Sequence, residues 1–286
     1  AVAPQLIAQL RGRPLSVVRA LRGQRPFMQK NAPRSAPPWV RTVRIWAERS
    51  RREVAYILCE DRATLRWLAN QRAVEHHPGL LRIDRGGFTQ THLVLDVDPP
   101  PGAGFDVVAA AARLVQRALA DAGLTGALKT SGASGVHVLV PIAPPATVEE
   151  IAAATRALAA RAARLDPELA TTAYVLAERG GRVFIDATRA GGATLVAAYS
   201  PRIRPGVPVS FPLAWEELER ARPGDFTIRT VPALLDGADP WAARMPAPQP
   251  LPAALVAEGR AIPVARVAAM REGKRRARAR RARADG

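Results

Sequence analysis

The stretch Thr91–Gly102, THLVLDVDPPPG, is an apolar run that closes on two aspartates one residue apart and then breaks on three prolines. Read as a strand, its side chains alternate between two faces. Leu93, Leu95 and Val97 line a core face, and Val94, Asp96 and Asp98 line the other. The two aspartate Cα atoms then sit about 6–7 Å apart. Like charges on one face of an apolar strand oppose each other's ionisation unless a cation shares them. Paired divalent metals would remove that cost, as they do where phosphoryl transfer needs entering and leaving oxygens stabilised. Pro99–Pro101 stop the strand at once, so the pair opens onto a loop. A bare DxD reads first as a solvated strand end. It also occurs in sugar-nucleotide transferases and in haloacid-dehalogenase-type phosphatases, which want Thr or Val where Pro100 stands.

Two further segments give these acids company. KTSGASGVHVLVP (Lys129–Pro141) sets two glycines and several hydroxyls in a tight turn before a strand. Such a turn can aim backbone N–H groups at phosphate oxygens. Val136, Val138 and Val140 share its core face, and His137 points to the side open to Asp96 and Asp98. Alone, that histidine reads as an ordinary semi-buried residue. In GRVFIDATRAGGATLVAAYSPRIRPG (Gly181–Gly206), Val183 and Ile185 face one side, Phe184 and Asp186 the other. Asp186 is thus a third strand-end acid, and Arg202 and Arg204 follow as fixed cations suited to phosphate. The constellation is far more specific than any member of it.

Around this centre the pattern predicts a helix at Pro4–Leu10, a strand at Arg13–Leu21 and a loop over RPFMQKNAPRSAPPWV. Strands follow at Val43–Trp46 and Val54–Leu58, then a helix at Ala63–Arg72. After His92–Asp98 comes a helix, Phe105–Ala122, with Val108, Ala111, Leu114, Val115 and Leu119 at helical spacing. A strand at Ala127–Lys129, the strand from Val136, and a helix over Thr147–Leu165 come next. Thr147 and Glu150 form a capping-box pattern there. Strands at Arg182–Asp186 and Thr194–Tyr199 and a helix at Trp215–Ala221 follow. Beyond Asp236, ADPWAARMPAPQPLP reads as linker before a short helix and a basic tail. The fold class is α+β, and the order is compatible with a ferredoxin-like core. Expected divisions are 1–90, an N-terminal α/β portion; 91–236, the core; and 237–286, linker and tail.

At 286 residues, 48% hydrophobic, the chain is an ordinary globular one. No run approaches the ~18–20 apolar residues of a membrane span, and no signal peptide is evident. It opens on Ala1 in helix-like sequence, which suggests a natural N-terminus further upstream. The single cysteine, Cys59, forms no internal disulfide and fits a reducing cytoplasm. Lys and Arg number 42 against 25 acids, a net +17. Arg271–Gly286 holds eight basic and two acidic residues, so the body is basic without it. That excess points to a polyanionic partner, nucleic acid first, although Arg/Ala-rich composition also inflates basicity. Only Lys30, Lys129 and Lys274 are lysines.

With these segments in hand, the sequence resembles the polymerase domain of bacterial ATP-dependent DNA ligase D, in the archaeo-eukaryotic primase superfamily. The likeness runs from about Leu10 to Trp241. RGRPLSVVR, FMQKNAP, WVRTV, CEDRATLRWLAN, LVLDVDP, TSGASGVHVLVP, VFIDATR, AAYSPRIRPGVPVSFPLAWEEL and DPWA carry it, in order. The resemblance implies a primase-like fold with an RRM/ferredoxin-like catalytic core. It also implies a template-directed nucleotidyltransferase that extends or fills DNA ends and gaps, accepts ribonucleotides, and works with two Mn2+ or Mg2+ ions. Asp96, Asp98 and Asp186 match the metal-binding catalytic acids. Lys129, Ser131, Gly132, Ser134, Gly135, His137 and Arg202 fall in the nucleotide-binding stretches. Phe27, Met28, Lys30 and Arg204 fall where DNA is contacted. Implied partners are gapped, overhung or primed DNA, NTP or dNTP, Ku and a separately encoded ligase, at the bacterial nucleoid, with no membrane.

Several positions depart from the family. Ser134 stands where relatives carry Lys or Arg, which implies weaker triphosphate binding or a charge borrowed from Lys129. Met28 replaces a second phenylalanine but keeps an apolar surface. The N-terminal lysines that recognise a downstream 5′-phosphate are missing. No lysine lies in a Lys-x-Asp-Gly adenylation motif and nothing resembles a phosphoesterase, so the chain reads as a stand-alone or excised polymerase domain. The alternative is a DNA-end binding and synapsis module with little catalytic activity.

Overall fold

A computed structural model describes residues 1–47, 51–84 and 87–264. The first part of the chain forms α1 (Ala3–Leu10), β1 (Leu15–Arg19), β2 (Phe27–Gln29), β3 (Thr42–Ala47), β4 (Arg52–Ile57) and α2 (Arg62–Asn70). Then come β5 (Ala73–Pro78) and the pair β6 (Leu81–Asp84) and β7 (Gly87–Gln90). A second group follows: β8 (His92–Asp98), α3 (Phe105–Asp121), β9 (Ala127–Thr130), β10 (Val136–Pro141), α4 (Val148–Leu165), β11 (Ala170–Thr171), β12 (Val183–Asp186) and β13 (Pro212–Leu213). Three short helices close the described chain: α5 (Val231–Leu235), α6 (Pro240–Arg244) and α7 (Ala253–Ala261).

The first sheet has the order β2-β1-β4-β3, with β5 also on β1. The second runs β11-β12-β8-β10-β9-β13. Taking β8, β9, β10 and β12 as first to fourth strands of a β-α-β-β-α-β unit, the order is fourth-first-third-second with every neighbour antiparallel. That is the ferredoxin-like arrangement. The alternation read from the sequence explains it. Leu93, Leu95, Val97, Val136, Val138, Val140, Val183 and Ile185 form one buried cluster with Val108, Ala111 and Val115 of α3 and Ile151, Ala154 and Leu158 of α4. Each large aliphatic side chain buried there is worth roughly 1.5–3 kcal/mol. The capping box forms: Glu150 N–H donates to Thr147 Oγ1, and Thr147 N–H to Glu150 Oε2.

Part of the opposite face of this sheet, at Ala127 and Leu139, is covered by the N-terminal elements. Leu6, Leu10, Leu15, Val17 and Leu68 share a core with Ala197, Ala198, Tyr199, Phe211 and Trp241. The N-terminal residues therefore pack against a later stretch of chain rather than around a core of their own.

Four expectations need correction. The loop over Arg25–Val40 contains β2, recruited by pairing with β1. β5, β6 and β7 stand where the pattern showed no element, because β5 carries Glu75, His76 and His77 in place of an apolar alternation. Thr194–Tyr199 is no strand: Thr194 makes an isolated bridge to Gly79, and the stretch ends in a turn at Ala198 and Tyr199. Leu195 N–H bonds to Pro78 O, Ala197 N–H to His76 O and Tyr199 N–H to Ser210 O, and Tyr199 sits at φ +70°. Finally, the proline-rich stretch past Asp236 is docked. Tyr199 Oη donates to Asp239 Oδ1 (2.6 Å) and accepts from Trp241 N–H (2.9 Å), with Trp241 buried. Gly259 lies so close to Ala153 that a Cβ there would come within 1.8 Å of its carbonyl oxygen, and Glu258 pairs with Arg161 and Arg164 of α4. The basic tail Arg271–Gly286 lies outside the described residues. Among the described residues, no helix is long and apolar enough to cross a membrane.

Candidate active site

Strand register assembles the site. Lys129 faces His137, His137 faces Asp96, and Asp96 faces Asp186, so four strands set four polar residues in one row. Directly paired residues share a face, and this face is the one turned away from α3 and α4. Asp98, two residues beyond Asp96 and opposite Phe184, extends the row toward solvent.

Side chains link along the row. Lys129 Nζ lies 2.7 Å from both His137 Nδ1 and Ser210 Oγ. His137 Nε2 lies 3.4 Å from Asp96 Oδ1. Arg189 Nη2 reaches Asp96 Oδ2 at 2.9 Å, and its Nε stands 3.4 Å from Asp186 Oδ2, too poorly aligned for a hydrogen bond. Asp186 Oδ1 accepts from Thr188 N–H at 2.7 Å. Arg179 approaches Asp98 Oδ2 at 3.6 Å while its guanidinium stacks on the Phe184 ring, 3.9 Å from the centroid.

The two acids of the DxD are electrostatically unlike. Burial opposes ionisation of Asp96, but His137 and Arg189 outweigh it and hold its carboxyl well below the usual range. Asp98 is pushed up, first by burial and then by the charge on Asp96, with Arg179 offsetting only part. Burial lowers His137 to about 4, with Lys129 adding to the shift. Lys129, 1% exposed, is pushed well below the ordinary lysine range by its own burial.

The Ser/Gly turn closes on itself. Ser131 Oγ accepts from the N–H groups of Ala133 and Gly135, and Ser131 N–H donates to Gly135 O. Gly132 has φ +66°, and a Cβ there would meet Arg202 Cγ at 2.7 Å. At Gly135 a Cβ would lie 2.2 Å from Val97 O, so only glycine lets the turn sit against β8. Arg202 holds the turn from outside, donating to Ser131 O (2.7 Å) and to Glu75 Oε2 (3.0 Å). Glu75 also accepts from Ile203 N–H and pairs with His77 (2.8 Å). These contacts outweigh its burial and lower its carboxyl to about 2.

The structure thus gathers Asp96, Asp98, Asp186, His137, Lys129, Ser131, Gly132, Gly135 and Arg202. Ser134 and Arg204 are exposed on the flanking loops. Phe27 and Met28 stand apart, exposed on β2 of the first sheet, with Lys30 exposed just after it and Arg19 near the Phe27 ring. Two readings change. Lys129 is no triphosphate contact, because it is buried behind His137 and both its partners lie inside. The Gly135 N–H turns inward to Ser131 Oγ rather than toward a phosphate. Arg179, Arg189, Glu75, His77 and Ser210 were missed. Arg189 lies inside the VFIDATR stretch, so its signal was present, whereas Glu75 and His77 lie on β5, which no sequence pattern marked.

Among the described residues, no three His, Cys, Asp or Glu side chains form a ready metal cage. Arg189 stands between Asp96 and Asp186, and Arg179 beside Asp98. The donor chemistry still fits a hard divalent cation: three carboxylates on adjacent strands, one destabilised by its neighbours' charge.

Known proteins resemble this chain in sequence and in fold. The family model described as "LigD, primase-polymerase domain" matches residues 1–241. The bifunctional non-homologous end joining protein LigD of Bacillus subtilis is 33% identical over 235 residues, covering 80% of this chain and 37% of that protein. The multifunctional non-homologous end joining protein LigD of Pseudomonas aeruginosa is 32% identical over 247 residues, 83% of this chain and 29% of that protein. The chain thus spans about a third of these relatives' length. The polymerase domain of Mycobacterium tuberculosis ligase D, solved in complex with DNA, superposes with a TM-score of 0.78 at 30% identity. That match covers 85% of this chain and 88% of the other. The row of acids on a ferredoxin-like sheet, the Ser/Gly turn packed against it and these matches lead to one assignment: the chain belongs to the LigD primase-polymerase domain family.

Proposed function

We propose that this chain is a template-directed nucleotidyltransferase that extends or fills DNA ends and gaps in end joining or gap repair. The observation that carries it is the row Lys129–His137–Asp96–Asp186, with Asp98 beside it and the Ser131–Gly135 turn packed against β8. Asp96, Asp98 and Asp186 are the residues that would hold two divalent ions, Mn2+ or Mg2+, whose chemistry is to stabilise the entering and leaving oxygens of phosphoryl transfer. The protein's own work is positioning and charge complementarity. His137 and Ser131 bind the incoming triphosphate, and Arg202 fixes the turn that presents them. Arg189 and Arg179 keep the acids ionised and apart until nucleotide arrives. Phe27 and Met28 offer apolar surface for a template base, and Lys30 and Arg204 neutralise DNA phosphates. The structural neighbour's DNA complex supports the same partner here. Ribonucleotides are accepted alongside deoxyribonucleotides, with Ku and a DNA ligase as partners in the joining reaction.

The test is primer extension with manganese on gapped and overhung DNA, with both nucleotide types, comparing wild type with Asp98→Ala. The variant is expected to lose extension while still binding DNA. Undiminished extension by Asp98→Ala overturns the assignment. Wild type that binds overhangs yet extends with neither nucleotide is the result expected of an end-binding module.

A further inference from the structure

Lys129 is the only buried lysine among the described residues, and the reading of the site leaves its amine without a task. Its surroundings define one. The imidazole Nε2 stands 3.4 Å from Asp96 Oδ1, an acceptor, and so is the nitrogen suited to carry the proton. In a neutral imidazole the other nitrogen, Nδ1, is then bare and needs a donor. Lys129 Nζ supplies it at 2.7 Å. The amine is held in turn by Ser210 Oγ at 2.7 Å, and Ser210 passes its own proton to Thr130 O at 2.6 Å. The amine's N–H bonds thus meet two acceptors, His137 Nδ1 and Ser210 Oγ. The arrangement repeats the logic by which an outer partner fixes the tautomer and ring orientation of a working histidine.

From this geometry we propose that Lys129 is a positioning residue that locks His137 as the Nε2–H tautomer, aimed at the acids and at the triphosphate bound beside them. The inference rests on the nucleotidyltransferase reading for its consequence, but not for the tautomer itself. Lys129 touches no substrate. It acts through His137, and Ser210 acts through Lys129.

Two measurements test it. Nitrogen-15 NMR of the histidine rings in the wild-type protein is expected to show His137 protonated at Nε2 and bare at Nδ1. A proton resident on Nδ1 overturns the proposal, whatever the enzyme's activity. Kinetics come second. Lys129→Met keeps the aliphatic volume and deletes the donors, and it is expected to raise the nucleotide KM roughly 10- to 100-fold with a smaller change in kcat. In a His137→Gln background the same substitution should add almost nothing, since both changes remove one interaction. Additive losses in that double-mutant cycle overturn the proposal. Should Lys129→Met unfold, Ser210→Ala takes its place in the cycle, with the same two outcomes. Absence of primer extension by wild type would sink the reading of function and leave the NMR result standing.

Discussion

His137 and His76 are both shut away from solvent, 4% and 5% exposed, on the second and first sheets respectively. Burial lowers each of them to about 4. Yet His137 has a side-chain partner at each ring nitrogen, whereas, among the described residues, neither nitrogen of His76 has a side-chain partner. A buried polar group costs free energy unless it is hydrogen-bonded. The polar face of the second sheet therefore spends its burial on a connected network, while the first sheet carries a buried histidine with no side-chain partner, opposite Val17. The same contrast appears at the surface. The acids of the second sheet are neutralised by Arg189 and Arg179 from within the chain. On the first sheet, Phe27 and Met28 are 39% and 47% exposed on a short edge strand. One region pairs its charges within the chain; the other leaves large apolar side chains exposed.

Breaking the first region should cost most. After the loss expected for Asp98→Ala, the next largest effect is Gly135→Ala. Its Cβ would meet the Val97 carbonyl at 2.2 Å, so the turn must leave β8. We expect a stability loss on the order of 1–3 kcal/mol, together with loss of extension. Urea denaturation and primer extension read the two, and a stable, active variant would show that the turn need not touch β8.

Phe27→Ala sharpens the other side of the contrast. It should leave folding intact and weaken primed-DNA binding by about 1–3 kcal/mol per unstacked base, with an unchanged salt slope. Fluorescence anisotropy across a salt series measures both quantities.

The smallest effect concerns pH. His76 is lowered to about 4 and His92 to about 3, both first by burial, against 6.5 in the unfolded chain. The unfolded state therefore binds more protons below pH 6.5. Stability is fully present above that value and is lost as pH falls toward 4, by up to about 1.4 kcal/mol per pH unit for each histidine. His76→Leu should remove one proton from that slope, measured as unfolding free energy against pH. An unchanged slope would mean that His76 finds a partner when charged.

Much of this was legible in the chain itself. Alternation assigned Leu93, Leu95 and Val97 to the core and Asp96 and Asp98 to the other face. The same rule placed His137 and Asp186 with them, and the capping box at Thr147 marked where α4 begins. β5 was invisible because Glu75, His76 and His77 break the apolar alternation, and its pairing with β1 depends on a distant strand. Lys129 was misread for a related reason. Its charge and its place before a Ser/Gly turn suggest a phosphate contact, and nothing local reveals that β13 and Ser210 close over it. The proline-rich stretch looked like linker because prolines disrupt periodicity, while its anchor Trp241, and Gly259 of the helix after it, answer to Tyr199 and Ala153 far away in sequence.

By itself, then, the sequence determined which residues are chemically able to act and which face of each strand they occupy, because side-chain alternation is a local property of the backbone. Only the tertiary structure decided that Lys129, His137, Asp96 and Asp186 fall in one row, that Arg189 and Arg179 reach the acids, and that Lys129 is buried. Register between strands and burial are set by contacts across tens of residues, which no local pattern records.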